Sequence, residues 1–178
     1  MKWLIPGILL LTLLMPYPAS ATMPPTIIQD VVAWGAPHFP IESWSLNLIA
    51  GKEMVNAAWT ANSDTGMSAV ANYIVQSGTW EAATPAELSE IINDEWLTGE
   101  YAAYESWEET ERCMSEDYLL IEATIVFNDK DYVAREWISQ PEEGYFEKVF
   151  IMYDLEHQKE FNVLAETLFP DLMRCADL

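Results

Sequence analysis

The amino-acid sequence predicts an α+β fold: an antiparallel β-sheet of about six to seven strands, flanked by helices. Two sets of segments rich in β-branched and aromatic residues predict the strands, because such side chains suit a pleated, half-buried surface. The joints within each set are too short for a crossover, so neighbouring strands must be antiparallel. Each set is followed by a helix signal, and helices packed on the sheet would bury the apolar faces of both.

The second set is the clearer one and contains three segments: Tyr118–Phe127, Tyr132–Ser139 and Tyr145–Tyr153. Its joints, 128–131 and 140–144, read Asn-Asp-Lys-Asp and Gln-Pro-Glu-Glu-Gly. These residue types favour turns. The stretch therefore predicts a three-stranded meander.

The first set also contains three segments: Ser43–Ile49, Met54–Ala61 and Ser68–Gln76. Residues typical of turns, including Gly51 and Gly66, lie between them. This set predicts a second meander earlier in the chain.

Two stretches predict helices. Thr84, Pro85 and Glu87 have the spacing of an N-cap, a first-turn proline and a capping-box glutamate. An apolar stripe follows at helical spacing, interrupted by Glu95 and closed by Gly99, and comprises Leu88, Ile91, Ile92 and Trp96. Near the C-terminus, apolar residues between Phe161 and Leu168 recur as on an amphipathic helix that Pro170 stops.

The segment Glu100–Arg112 is harder to interpret. Tyr101, Ala103, Glu105 and Trp107 alternate with the residues between them. The alternation permits a strand with one polar edge.

The first 21 residues have the organisation of a signal peptide. Lys2 precedes the apolar run Trp3–Met15, and Ala19-Ser20-Ala21 offers the small residues that signal peptidase accepts. The alternative is an uncleaved N-terminal anchor, but the run of about 13 residues is shorter than the roughly 20 that cross a bilayer as a helix, which favours the signal peptide. Cleavage would leave a periplasmic or secreted chain starting at Thr22, with no stable membrane insertion.

The segment from residue 22 to residue 40 contains four prolines, and we expect an extended or irregular lead-in because proline restricts its neighbours. The predicted organisation is therefore a signal peptide over 1–21, a Pro-rich lead-in over 22–40 and a single α+β domain over 41–178.

The two cysteines, Cys113 and Cys175, would meet an oxidising environment after export. An even count there favours a disulfide between them over two free thiols.

The formal net charge is −21, and it becomes −22 once Lys2 is removed with the first 21 residues, which contain no acid. The small number of basic residues excludes binding to a phosphate backbone, and no nucleic-acid partner is therefore expected. Docking on an anionic membrane is disfavoured for the same reason. Of the 29 acids, four lie between Thr22 and Trp80 and the other 25 follow. A solvated surface explains them, and a face for a cationic partner or for Ca²⁺ is the alternative.

Three groups of residues resemble the PsbP-like family: the segment Phe39–Trp44, the segment Tyr132–Arg135 and the closing Phe161–Phe169. That family contains the extrinsic PsbP subunit of photosystem II, an import factor that binds the Ran GTPase and small exported bacterial proteins. The resemblance covers roughly residues 39–170. It implies an α/β/α sandwich around an antiparallel sheet and a non-catalytic accessory or binding role. It carries over no functional residue, and the Pro-rich lead-in departs from the family pattern.

No motif for zinc, nucleotide phosphate or a serine nucleophile occurs in the sequence, and no cofactor is predicted. Carboxylates are the plentiful reactive groups. Glu105 and Glu109 flank Trp107, and glycosidases use two carboxylates beside a surface on which a sugar stacks. A glycan hydrolase is therefore one alternative, against a solvated acidic sheet edge.

A Ca²⁺-responsive structural module is another alternative. Asn128, Asp129 and Asp131 offer three oxygen-bearing side chains in four residues. Val133 and Ser139 stand where an EF-hand loop needs glycine and glutamate, so a plain hairpin turn is favoured.

The absence of a catalytic motif in a well-formed domain favours an exported accessory or binding protein. We expect it to bind a protein or a small ligand through its sheet face or an edge. Tryptophans are the natural anchors for such a partner, since they supply large contact areas, and seven lie after residue 21.

Overall fold

The computed structural model describes residues 23–62, 64, 66–78, 81, 83–140, 143–159, 162 and 174–175. It confirms the α+β fold, with one seven-stranded antiparallel sheet. The strands are β1 (Trp44–Ala50), β2 (Met54–Ala61), β3 (Ala69–Ser77), β4 (Ser106–Met114), β5 (Leu119–Phe127), β6 (Lys130–Ser139) and β7 (Tyr145–Asp154).

Three α-helices lie within the described residues: α1 (Pro25–Gly35), α2 (Pro85–Ile91) and α3 (Asp94–Glu100). A short 3₁₀ helix over Leu155–His157 follows β7. The strand order is β1-β2-β3-β7-β6-β5-β4, so two meanders join where β3 pairs with β7. The chain passes between the meanders through α2 and α3.

The sheet separates two apolar layers. On the α1 face, Val31 of the helix belongs to a cluster of buried side chains that includes Trp59 and Trp137 of the sheet. On the α2–α3 face, Leu88 and Leu97 pack against the centre of β5 and β6. Side chains alternate between these faces along each strand, as the pleat requires.

Helix α1 corrects the prediction for residues 22–40, which are not extended or irregular throughout. Pro24 is the N-cap residue with extended backbone, and Pro25 takes the first helical turn, where a missing N–H costs nothing. Pro37 follows the helix end, where proline is also common. The prolines delimit a helix, and its interior has the apolar residues that contact the core.

The single helix predicted over Thr84–Gly99 is also corrected, because two short helices take its place. The capping box of Thr84 and Glu87 forms as predicted. Asn93 then interrupts the helix, since its side chain accepts hydrogen bonds from Glu95 N and Trp96 N and begins α3. The break buries Leu97 and leaves Ile91, part of the predicted stripe, 57% exposed.

The ambiguous segment 100–112 divides. Tyr101 is buried at the C-cap of α3, and the strand begins only at Ser106. The predicted signal peptide lies outside the described residues, and so does the predicted helix over Phe161–Leu168 apart from residue 162. Among the residues described, no helix is both long and apolar enough to cross a membrane.

Gly35 lets the end of α1 approach the sheet. A Cβ atom placed there would lie 1.9 Å from Cζ2 of Trp59. We therefore expect Gly35→Ala to lower the free energy of unfolding by about 1–3 kcal/mol through overpacking. Gly51→Ala is the matched control, since its Cβ would meet its nearest atom at an ordinary 3.6 Å. Equal urea midpoints for the two variants would contradict the close approach.

Candidate functional site

A cleft of about 270 Å³ opens on the α1 face of the sheet. Its walls combine aromatic rings with acidic and hydroxyl side chains: Trp34, Tyr73, Asp117, Tyr118, Trp137, Ser139 and Glu147. These residues come from α1, from three adjacent strands and from the turn before β5. We call this set the aromatic pocket.

The register of the central strands places the floor of the pocket. Val149 of β7 pairs with Tyr73 on one side and with Trp137 on the other, so the three share one row across the sheet. In the next row of the same face, Glu147 pairs with Ser139. The floor therefore depends on the contact between the two meanders.

Helix α1 supplies one wall. The ring of Trp34 meets that of Tyr73 edge to face, with centroids 5.0 Å apart, and lies 5.8 Å from the ring of Trp59. Edge-to-face contacts of this kind are favourable beyond simple burial. Trp34 is thus held by the ring of Tyr73, which also lines the pocket, and by the ring of Trp59.

The turn between β4 and β5 supplies the opposite wall. The hydroxyl of Ser115 accepts hydrogen bonds from the backbone N–H groups of Asp117 and Tyr118, each at 3.1 Å. Ser115 N in turn donates to the Tyr118 carbonyl at 3.0 Å. Serine closes such turns readily. The tight turn fixes both Asp117 and Tyr118 beside the sheet.

The electrostatic character of the pocket is acidic. The Tyr73 hydroxyl donates to Glu147 Oε2 at 3.3 Å, and burial together with that carboxylate raises the pKa of Tyr73. Lys148 also borders the pocket, but its Nζ is ion-paired with Glu100 beneath α3, on the other face. Aromatic rings and carboxylates around a cleft suit an organic cation, which both attract.

A second polar cluster lies under α3, between Lys148, Glu136 and Glu100. Lys148 Nζ pairs with Glu100 and lies 3.7 Å from Glu136 Oε2. The Glu136 side chain is 0% exposed, and its carboxylate oxygens have no hydrogen-bond partner of normal geometry among the described residues. Burial raises the pKa of Glu136, against the opposing effect of Lys148. The charged groups of this Lys148 cluster lie on the opposite face of the sheet from the aromatic pocket.

The two glutamates considered for glycan hydrolysis have separate roles. Glu109 accepts two hydrogen bonds from the guanidinium of Arg112, at 2.8 and 2.7 Å, beside a β-bulge in β4. Glu105 Oε1 accepts from Asn128 N at 3.0 Å at the tip of the β5–β6 hairpin. Hydrolysis by this pair stays an untested prediction.

The residues considered for Ca²⁺ form a tight hairpin. β5 ends at Phe127 and β6 begins at Lys130, so Asn128 and Asp129 alone make the turn. Both have positive φ, at 53° and 57°, as a type I′ turn requires. Asp131 lies in β6 and pairs with Val126. Binding of Ca²⁺ at this turn stays an untested prediction.

Another acidic group with metal-ligand spacing involves Cys175, whose Sγ lies within 4.8 Å of carboxylate oxygens of Glu111 and Glu122. Two of these three groups are already bonded to other residues. The sulfur is in a disulfide, and Glu122 Oε2 accepts from Arg135 Nε at 2.8 Å. Two of the three potential ligand groups are therefore engaged in structural bonds.

The predicted disulfide is confirmed. Cys113 of β4 and Cys175 are bonded, with Cα atoms 5.5 Å apart and a sequence separation of 62. The bond fastens Cys175 to β4, an edge strand of the sheet.

The sequence indicated Trp34 and Trp137 only as two of several candidate anchors, and it did not point to the other pocket residues. Glu147 had one usable signal, because it is one of the few charged residues in a strand that is mostly apolar. Nothing local places it near Tyr73, because β3 and β7 are far apart in sequence and pair only in the folded chain.

Comparison of the chain with protein-family models, and with curated proteins, finds no match. The function must therefore be inferred from the chemistry of the pocket.

Proposed function

We propose that this protein is an exported accessory domain that binds a small organic cation in the aromatic pocket. The observation that carries the proposal is the pairing of four aromatic rings with the carboxylates of Asp117 and Glu147 around one cleft. An ammonium group over an aromatic face gains about 0.5–2 kcal/mol, more as it loses water. The negative charge of the whole chain would also concentrate cations near its surface.

Export of the chain is supported by the Cys113–Cys175 disulfide, which persists in oxidising compartments. The signal peptide over residues 1–21 and a periplasmic or secreted location stay part of the proposal. Membership in the PsbP-like family, from which the accessory role derives, is also part of the proposal.

The first test is a pair of probes that differ in charge alone. Choline and its neutral isostere 3,3-dimethylbutan-1-ol have nearly the same shape. We expect choline to bind, with quenching of tryptophan fluorescence and a rise in Tm, and the alcohol to bind at least about tenfold more weakly. Isothermal titration calorimetry measures the dissociation constants of the two probes. Equal binding of the two probes, or binding of neither, would reject the proposal.

Variants then locate the site. Trp34→Leu removes one ring and is expected to weaken choline binding by about 2- to 30-fold, the equivalent of about 0.5–2 kcal/mol. Glu147→Gln keeps the shape but removes a charge, and should weaken binding about tenfold. The controls are Trp107→Leu and Glu108→Gln, both on β4 and away from the pocket. Equal losses in the controls would place the cation elsewhere.

A further inference from the structure

The two edges of the sheet are built differently. β4 carries several glutamates, including Glu108 and Glu111, and a bulge between Glu109 and Glu111. Charges and bulges are the usual protection of an edge against pairing with another strand. β1 reads Trp-Ser-Leu-Asn-Leu-Ile-Ala and has no charge, no proline and a continuous register with β2. The β1 edge therefore lacks that protection.

The outer side of β1 presents backbone groups at every second residue. Asn62 N donates to Ser43 O, and Gly51 N donates to Met54 O, which fixes the odd-numbered residues of β1 as those bonded to β2. The N–H and C=O groups of Leu46 and Leu48 thus point outward, and within the described residues no strand pairs with them. Their side chains are 43% and 39% exposed.

We propose that β1 pairs antiparallel with β1 of a second copy of this chain, about a twofold axis through Asn47. This register pairs all seven residues of the strand. It sets Leu46 opposite Leu48 of the other copy as a hydrogen-bonded pair, and Asn47 opposite Asn47 as a non-hydrogen-bonded pair. The apolar side chains then form one stripe on the α1 face across both copies.

Charge indicates that the strand that pairs with β1 comes from a second copy of this chain. Lys52 is the single lysine or arginine between Thr22 and Trp80, and the same register brings it to the end of the strand where Glu42 of the other copy lies. Both side chains are exposed. The twofold axis forms this pair twice, so the edge is complementary to itself. The acid-rich β4 edge would instead repel a chain of equal charge.

The test is a charge exchange read by sedimentation velocity of the full protein over a concentration series. We expect a monomer–dimer equilibrium for the wild type. Lys52→Glu should raise the dimer dissociation constant by about 3- to 10-fold, since it turns two attractive pairs into repulsive ones. Glu42→Lys together with Lys52→Glu should restore the wild-type value. A wild type that stays monomeric, or a double variant no better than the single one, would overturn the proposal.

Cross-linking checks the register independently of charge. Asn47→Cys places two sulfurs across the twofold axis, where opposed Cα atoms are about 4.5 Å apart, and should give a disulfide-linked dimer on mild oxidation. Thr60→Cys, exposed on the neighbouring strand β2, is the control and should stay monomeric. Dimers in both variants, or in neither, would contradict pairing through β1. A strand of another protein bound to β1 of the monomer would also contradict it.

Discussion

Lys148→Met is expected to lower the free energy of unfolding by about 3–5 kcal/mol. The ammonium group lies in the Lys148 cluster, 5.6 Å from the centre of the Trp96 ring, with Glu100 and the fully buried Glu136 as counter-ions. Burial lowers the pKa of the Lys148 amine, but the two carboxylates outweigh burial and raise it. Removing the cation leaves two acids without a partner in an apolar layer. Urea denaturation at neutral pH measures the loss.

The pH dependence of that loss has a definite sign. Burial holds the pKa of Glu136 above its ordinary value in the folded protein, so ionisation costs stability as pH rises through that range. Without Lys148, which opposes the shift, the folded pKa rises further. The difference in the free energy of unfolding between wild type and Lys148→Met should therefore become smaller when the pH falls from about 7.5 to about 5.

Two further variants make the interpretation specific. Glu136→Leu combined with Lys148→Met removes the buried carboxylate as well as its partner, and should recover much of the lost stability. Lys130→Met removes an exposed lysine at the β5–β6 turn and should change stability by no more than about 0.5 kcal/mol. Equal losses for Lys130 and Lys148 would show that the cluster contributes nothing beyond net charge.

Loss of the disulfide should destabilise the protein by a similar amount. The Cys113–Cys175 bond closes a loop of 62 positions, which in the chain-entropy model corresponds to about 4 kcal/mol. We expect reductant, or Cys113→Ser with Cys175→Ser, to shift the urea midpoint downward by a corresponding amount. The physical reason is that the unbridged unfolded chain regains conformations which the bond forbids.

The double serine variant is the control for reductant, which should have no effect on it. A thiol assay on the denatured but unreduced wild type should find no free sulfhydryl. Two titratable thiols, or a midpoint that reductant leaves unchanged in the wild type, would contradict a stabilising bond.

The sequence by itself determined those features that depend on neighbours in the chain. Segments rich in β-branched and aromatic residues, separated by short stretches of turn residues, predicted the six strands of the two meanders, because such side chains suit a pleated, half-buried surface. Asn and Asp tolerate positive φ, and the sequence therefore predicted the turn at Asn128 and Asp129 between β5 and β6. The capping box of Thr84 and Glu87 is equally local. With only two cysteines, the sequence also allowed just one intramolecular disulfide.

Local signals failed where a residue could serve two purposes. The prolines around residues 24–37 were equally suited to an irregular segment and to the two ends of α1, and the burial of Val31 against the sheet decided for the helix. Asn93 likewise suited a helix surface or an N-cap. The tertiary structure used it as a cap, since breaking the helix buries Ile92 and Leu97.

Only the tertiary structure decided where the aromatic pocket and the Lys148 cluster lie. Both depend on β7, which brings Glu147 to one face and Lys148 to the other. Its pairing with β3 joins residues that are far apart in the sequence, as in the hydrogen bond between Tyr73 and Glu147, which are 74 positions apart. Such pairing is selected by the total apolar area that the whole sheet buries, and no local propensity encodes it.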